Sequence, residues 1–341
     1  MAEKTAVNRK PSVFVSGGEF FRKYSLYLVF ALLLFISGLV SPAFFNFFNL
    51  MNLLRQTSFI GLIAIGMTFV VLTGGIDLSV GANYAFSAML LAYLFHFGMY
   101  KGYVESLTPF LPSPFIFAIA LLAGAAIGAM NGFLVAGFRL APFIVTMGTM
   151  VIFRGLAYNL AGGRTIFGIG QDLAFLGTGM IGRIPVPAVI WAAVAFLSWM
   201  ALTFTRFGRR IYAVGGDEEA ARLSGIKVNR YKFMVYVISG VLAALAGVMM
   251  VARADQAEPR MGELFELDAI AAVVIGGSSL FGGVGTIPGT IIGCLILAII
   301  TNLLNLLGVH PYPQQIIKGG IILGGILLQN FVQRGRRSGK G

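Results

Sequence analysis

Long apolar runs dominate this sequence and restrict its fold more than any other feature. Ser25–Val40, Phe59–Thr73, Phe115–Gly137, Val186–Thr205, Phe233–Ala252, Pro288–Leu307 and Ile316–Phe331 carry one charged residue between them, Lys318. A helix crosses a hydrocarbon core of ~30 Å with roughly 20 apolar residues. In lipid the backbone must satisfy its own hydrogen bonds, so such runs fold as helices. A membrane β-barrel would need alternating segments of about ten residues, and these runs do not alternate. Only 11% of residues are charged and 57% are hydrophobic. A soluble domain averages about 25% charged residues, which leaves too little polar surface here for a water-soluble fold.

The pattern predicts an all-α integral membrane protein with about ten transmembrane helices. The expected spans are 25–41, 52–73, 80–97, 115–137, 143–160, 186–205, 233–252, 267–283, 287–307 and 314–333. Gly276, Gly277, Gly282 and Gly283 interrupt the eighth. The many glycines suit close helix packing in lipid. Gly285, Gly289 and Gly293 are expected to form a small-residue face on the ninth span, after a tight turn.

The net charge of +12 raises the question of nucleic acid, which the placement of the charge answers. With the N-terminus inside, 17 of the 25 Lys and Arg fall on the inner side and 8 on the outer. Cytoplasmic loops collect Lys and Arg, so both termini are expected to be cytoplasmic in a multi-pass membrane protein. The basic clusters then read as topology signals beside anionic lipid. The organisation that follows is a cytoplasmic N-terminal segment 1–24, a transmembrane domain 25–333 with an inner loop 206–232, and a basic tail 334–341. No small-residue cleavage site follows the first apolar stretch, which is read as a retained helix.

Catalytic constellations are missing. There is no His-Glu-x-x-His pattern, no Gly-x-Ser-x-Gly elbow and no phosphate-binding loop between a strand and a helix. The single cysteine, Cys294, lies in an apolar span, so no disulfide, metal cluster or thiol nucleophile is expected, and no cofactor.

The long inner loop carries its own structured element. Asp217 is suited to N-cap a helix. Glu218 and Glu219 would sit at its positive end, with Arg222 toward the negative end. Gly225 is placed to close it in a left-handed conformation. Residues 217–225 (Asp217, Glu218, Glu219, Ala220, Ala221, Arg222, Leu223, Ser224, Gly225) thus read as a short self-capped helix between two basic flanks. It is either a docking element or a plain interfacial connector.

Four ordered stretches resemble one family. They are Ala213–Ile226, Gly74–Gly81 (Gly-Gly-Ile-Asp-Leu-Ser-Val-Gly), Glu266–Leu280 and Asn302–Val309. Together they are similar to ribose-type ABC importer permeases, across roughly residues 25–333, in the group that also holds branched-chain amino acid permeases. Asp217 stands where such permeases often carry Asn, and both are competent caps. The resemblance implies a permease dimer around a central pathway, cytoplasmic ATPase subunits that the 217–225 helix couples to, and an extracytoplasmic sugar-binding protein. ATP hydrolysis would then lie on the partner, and the chain itself would be no enzyme.

Intramembrane polar groups are costly and mark cavities or function. Asp77, Asn83, Tyr84, Asp268, Asn302 and Asn305 are the candidates for the translocation pathway, with interhelical hydrogen bonding as their plain alternative. Asp77 could equally cap the third span. Lys318 is expected to snorkel to the outer boundary. The loop holding Arg253, Asp255, Glu258, Arg260, Glu263 and Glu266 is the candidate contact for the binding protein. Permeases for branched-chain amino acids or nucleosides remain alternatives, as does an ion-coupled sugar carrier, which would need a titratable group near the bilayer midplane.

Overall fold

Proline and small polar residues start most of the helices. Asn46 accepts a hydrogen bond from Phe48 N at 2.9 Å and opens a helix at Phe47. Pro114, Pro142, Pro187 and Pro288 sit in first turns, where their missing N–H costs nothing. Thr286 Oγ1 accepts from Gly289 N at 3.1 Å and opens the twelfth helix. The computed structural model describes residues 17–96, 111–169, 171–321 and 323–324.

In chain order the helices are α1 (Gly17–Val40), α2 (Phe47–Leu72), α3 (Val80–Phe95), α4 (Ser113–Gly137), α5 (Pro142–Leu160), α6 (Ala174–Thr178), α7 (Val186–Phe204), α8 (Arg206–Gly216), α9 (Glu218–Leu223), α10 (Val228–Ala254), α11 (Phe265–Ile275) and α12 (Ile287–Leu306). A further helical stretch covers 311–321. Two pairs of two-residue strands complete the described chain. β1 (Ile166–Phe167) pairs antiparallel with β4 (Gln256–Ala257), and β2 (Met180–Ile181) with β3 (Ile184–Pro185).

Among the described residues, six helices (α2, α4, α5, α7, α10 and α12) are long and apolar enough to cross a membrane. Leu26–Val40 and Val80–Phe95 are shorter apolar helices. The expected basic tail 334–341 and residues 1–16 of the N-terminal segment lie outside the described residues. So does the part of the expected tenth span beyond 324.

The expected eighth span requires correction. Helix stops at Ile275, and Gly276 to Thr286 form a loop in which Gly277, Gly282 and Gly283 have φ of 89°, 89° and 70°. Left-handed glycines turn the chain where a continuous span was drawn. At its other end α11 starts well inside the bundle. Gly262 and Glu266 lie against Gly81, while Tyr84, one turn further along α3, packs on Gly247.

The third span is one continuous helix close to its expected bounds, and the irregular stretch lies ahead of it. After α2 the chain runs irregularly through residues 73–79 before α3 begins at Val80. By then it has reached Ser239, near the middle of α10, to which Asp77 is hydrogen-bonded. Two short helices, α3 and α11, therefore begin close together inside the protein. The Tyr84 and Phe265 rings meet edge to face there, with centroids 5.3 Å apart.

Small residues hold the bundle's centre. α10 packs on α4, α2 and α3. Gly124, Gly128 and Gly132 recur every fourth residue on α4 and face α10, and Gly240 of α10 faces back. This spacing lets backbones approach closely, as small residues do in membrane helix pairs. Of the expected glycine face, Gly289 and Gly293 lie on α12 and press on the backbones of Gly276 and Ala272, whereas Gly285 falls in the loop before the helix and faces Ser278.

A Cβ at Gly128 would run into Tyr236 O, whereas one at Gly148 on α5 meets nothing within 4 Å. Gly128→Leu should therefore lower the stability of the purified protein by about 1–3 kcal/mol. Gly148→Ala should leave it unchanged or slightly raised. Thermal unfolding of both variants in detergent measures the difference.

Candidate functional site

The two ends of the bundle carry different chemistry. At one end, α8 and α9 form a helical pair joined at Asp217. Thr205 Oγ1 accepts from Gly208 N at 3.3 Å to start α8. Phe207, Ile211 and Val214 turn inward, while Arg206, Arg209 and Arg210 stay exposed. This amphipathic helix is an addition to the expected inner loop, where only basic flanks were drawn. Its signal in the sequence is the apolar spacing 207, 211, 214 after a Thr cap. Arg210 donates to Tyr231 OH and lies over that ring, 5.7 Å from its centroid.

α9 has the expected caps. Asp217 is extended (φ −156°, ψ 106°) and its Oδ1 accepts from Ala220 N at 2.9 Å. Gly225 sits at φ 80°, and the closing bonds run from Gly225 N to Arg222 O at 3.0 Å and from Ile226 N to Ala221 O at 3.1 Å. Arg222 reaches Glu218 at 3.0 Å and Glu219 at 3.1 Å, and Lys232 of α10 also pairs with Glu218. Exposed pairs of this kind contribute about 0–1 kcal/mol each, so their value is orientation. Ala221 is buried, and Leu223 projects outward, 82% exposed.

The pair is wedged against the ends of other helices. A Cβ at Gly215 would collide with Leu72 O at the end of α2, and Gly283 N is its next neighbour. Gly283 N also donates to Leu72 O at 3.0 Å. Tyr212 OH donates to Gly285 O at 2.8 Å, and partial burial pushes this phenol above its ordinary pKa, which keeps the proton in place for that bond. Thus α8 touches both the end of α2 and the loop that leads into α12.

The opposite end of the bundle contains a cavity of about 470 Å³. Parts of α2, α3, α10, α11, α12 and the 311–321 helix line it. Three of the six expected pathway residues converge here, Tyr84, Asp268 and Asn302. Asp268 Oδ2 pairs with Lys318 Nζ at 2.9 Å, and both side chains are largely buried, 16% and 27% exposed. Lys318 was expected to snorkel to the outer boundary, and the carboxylate in the first turn of α11 holds it instead. Asn302 exchanges amide hydrogen bonds with Asn49 of α2 at 2.8 and 2.9 Å.

The other three residues do not reach the cavity. Asp77 is buried and fully bonded. Its Oδ1 accepts from Ser79 N at 3.0 Å and Ser79 Oγ at 2.6 Å, and its Oδ2 from Ser239 Oγ at 2.8 Å. The N-cap position of α3 belongs to Ser79, whose hydroxyl makes no bond to that helix's first turn. Asn83 donates to Gly124 O and Gly240 O, both at 3.2 Å, and so ties α3 to α4 and α10. Asn305 accepts from Gln314 Nε2 at 2.8 Å and holds the 311–321 helix.

Other cavity groups were not legible as such. Arg253, read as part of an outer loop, sits in the last turn of α10 and lines the cavity. It donates to Asn52 Oδ1 at 3.1 Å and lies 5.7 Å from the Phe59 ring centroid. Gln56, Phe59 and Phe265 also line it, and nothing in their sequence context sets them apart.

The expected binding-protein loop is less free than drawn. Arg154 donates to Pro259 O at 2.8 Å and Met261 O at 2.7 Å, and Asp255 Oδ1 accepts from Ile169 N at 2.9 Å. Arg260 and Glu263 stay at the surface, paired at 3.3 Å, and this contact raises the guanidinium pKa.

Replacing Lys318 with Met would leave Asp268 charged and unpaired in a largely buried position. Removing one partner of such a contact costs about 1–3 kcal/mol. Lys318→Met should therefore lower the unfolding temperature, and adding Asp268→Asn should recover part of the loss. A double-mutant cycle by thermal unfolding measures this coupling.

A family model described as "Branched-chain amino acid transport system / permease component" matches residues 49–326. The ribose import permease protein of Bacillus subtilis (strain 168) is 45% identical over 309 residues, covering 90% of this chain and 92% of its own. The ribose import permease protein of Haemophilus influenzae (strain ATCC 51907 / DSM 11121 / KW20 / Rd) is 41% identical over 319 residues, covering 92% and 95%. The galactose/methyl galactoside import permease protein of Escherichia coli (strain K12) is 37% identical over 339 residues, covering 96% and 98%. No solved structure matches the chain. With its apolar helices and this match over most of its length, the chain is a multi-pass membrane protein that belongs to the family of branched-chain amino acid transport system permease components.

Proposed function

We propose that this chain is the membrane permease of an ABC importer that takes up a monosaccharide such as ribose. The similarity that carries this reading is the 41–45% identity to ribose import permeases over nine-tenths of the chain. The partners on this reading are cytoplasmic ATPase subunits, an extracytoplasmic sugar-binding protein and a second permease. The α8–α9 end would face the cytoplasm, with ten spans and both termini inside. The Arg-rich surface of α8 supports that side, since basic residues collect on cytoplasmic faces.

In this scheme α9 (Asp217 to Gly225) is the coupling helix that fits against the ATPase. ATP-driven closure of the ATPase pair must move membrane helices, and capped helices transmit displacement where a flexible loop would absorb it. The packing of Gly215 and Tyr212 gives that displacement two routes, into the end of α2 and into the start of α12. Tyr84, Asp268 and Asn302 are the pathway candidates that the cavity favours. Asp77, Asn83 and Asn305 would act by holding helices in place. Arg260 and Glu263 would belong to the surface that meets the binding protein.

Asp217→Ala removes a cap bond, at a cost of about 1 kcal/mol. Gly225→Val forces a β-branched residue into a left-handed conformation, at a cost of roughly 1–2 kcal/mol. Both should lower sugar-stimulated ATP hydrolysis by the assembled transporter several-fold while the permease still inserts at normal level. Unchanged stimulation in Gly225→Val would contradict a coupling role for α9. ATPase assays in proteoliposomes, with immunoblots of the membrane fraction, make the measurement.

A further inference from the structure

The elbow between α7 and α8 has a feature that coupling to an ATPase does not require. α7 reaches this end of the bundle with Phe196, Leu197, Met200 and Phe204 exposed along its last turns. Trp199 is held between Phe196 and Phe204, with ring centroids 5.9 and 5.2 Å away. One extended residue, Thr205, separates this apolar end from α8. α8 then turns Arg206, Arg209 and Arg210 outward. No acidic residue stands between Asp172 and Asp217 in the sequence. The next acids, Glu218 and Glu219, already pair with Arg222 and Lys232. Among the described residues, Arg206 and Arg209 therefore have no carboxylate partner. We infer that the α7–α8 elbow is a binding site for an anionic phospholipid, whose phosphate headgroup meets these arginines.

The inference rests on the importer reading only for which leaflet is involved, the cytoplasmic one. Two surfaces of opposite preference meet at the elbow, and a lipid matches both. Acyl chains cover the exposed side chains of α7, and a phosphate accepts from the guanidiniums, whose N–H groups fit its oxygens in pairs. Amphipathic helices with a basic outward face take anionic lipid in this way. Trp199 suits such a place, since tryptophan collects at membrane boundaries. Other occupants fit one surface and not the other. A second apolar helix would cover α7 and strand the arginines, whereas a soluble acidic partner would meet the arginines and leave Phe204 uncovered. Charge sidedness alone would be served by arginines anywhere in this loop, yet Arg206 follows exposed Phe204 by two residues. The arginines are also held in place. Ile211 and Val214 are buried, Phe207 packs on Phe69 and Tyr231 with ring centroids 6.3 and 5.9 Å away, and Arg210 donates to Tyr231 OH. α8 thus keeps its basic face outward without reorganisation when a headgroup arrives.

Trp199 reports on the elbow directly, because the chain has only two tryptophans and the other, Trp191, is buried against Gly61 of α2. The permease carrying Trp191→Phe would be reconstituted in phosphatidylcholine bilayers with increasing fractions of a brominated lipid, either phosphatidylglycerol or phosphatidylcholine. Bromine quenches tryptophan at contact, so the quenching curve gives the occupancy of each lipid beside Trp199. Brominated phosphatidylglycerol should be preferred by roughly five-fold for each arginine engaged. Arg206→Gln with Arg209→Gln should abolish the preference, and Arg206→Lys with Arg209→Lys should keep most of it. Equal quenching by the two lipids in the arginine-bearing protein would overturn the site, as would a preference that survives the double glutamine substitution. Quenching by neither lipid would mean that protein covers the end of α7, and would overturn it too. Because Trp191→Phe could loosen the contact with α2, the unsubstituted chain, with buried Trp191 as a constant background, gives a second reading of the same pattern. The quenching does not depend on transport. Import of a monosaccharide by the assembled complex without any lipid preference at Trp199 removes this site alone, and a lipid preference in a complex that imports no monosaccharide removes the importer reading alone.

Discussion

Two irregular stretches, each leading into a short helix, set the terms for the rest of this structure. A membrane interior offers no water to backbone groups, so an irregular segment at depth must find its partners in protein. Here the stretch before α3 carries that demand at the level of Ser239, near the middle of α10, and the stretch before α11, which runs inward from exposed Arg260, shares part of it. Tyr236 OH donates to Ile76 O at 3.3 Å in the first. Asp77 folds back on Ser79 and reaches Ser239. In the second, Arg154 holds the carbonyls of Pro259 and Met261. These side chains look exceptional in an apolar sequence because each satisfies a group that helix geometry has released. Short or broken helices of this kind accompany binding sites in transporters, since their ends bring polar groups together at depth. The cavity lies beside the start of α11.

The small-residue seam makes this arrangement possible. With Gly124, Gly128 and Gly132 of α4 pressed on α10, the Asn83 amide reaches carbonyls on both helices at once. Larger residues on this seam would separate α4 from α10 and leave Asn83 short of one of its two carbonyl partners. At the α8–α9 end, close contact serves another purpose. Gly215 lets α8 meet the end of α2 and the 276–286 loop with little intervening side chain, so movement of the capped pair is not lost in compliance.

Much of this was legible in the sequence, for identifiable reasons. Span length and glycine content announce a membrane bundle without further help, and the caps of α9 follow from Asp217 and Gly225 alone. The start of α7 and the end of α3 come within two residues of the structure because Pro and polar residues mark them. The eighth span was drawn through to 283 because its four glycines mark an interruption without showing that left-handed turns there end the helix at Ile275. Of the six pathway candidates, Asp77, Asn83 and Asn305 are hydrogen-bonded to neighbouring elements and do not line the cavity, since polarity in an apolar run marks a need for partners without saying which. Arg253 and Lys318 were assigned to boundaries because their charge sits at span ends. Only the fold shows that the chain closes over them.

On the orientation proposed above, the two ends of the bundle face opposite sides of the membrane, with α9 toward the cytoplasm and the 255–264 loop outside. Ser224 and Arg260 are both exposed, one at each end. A membrane-impermeant thiol reagent applied to sealed right-side-out vesicles carrying Ser224→Cys or Arg260→Cys tests this most directly. The account predicts labelling at 260 without permeabilisation, and at 224 only after the vesicles are opened. Labelling of Ser224→Cys in intact vesicles, with Arg260→Cys protected until they are opened, would contradict it.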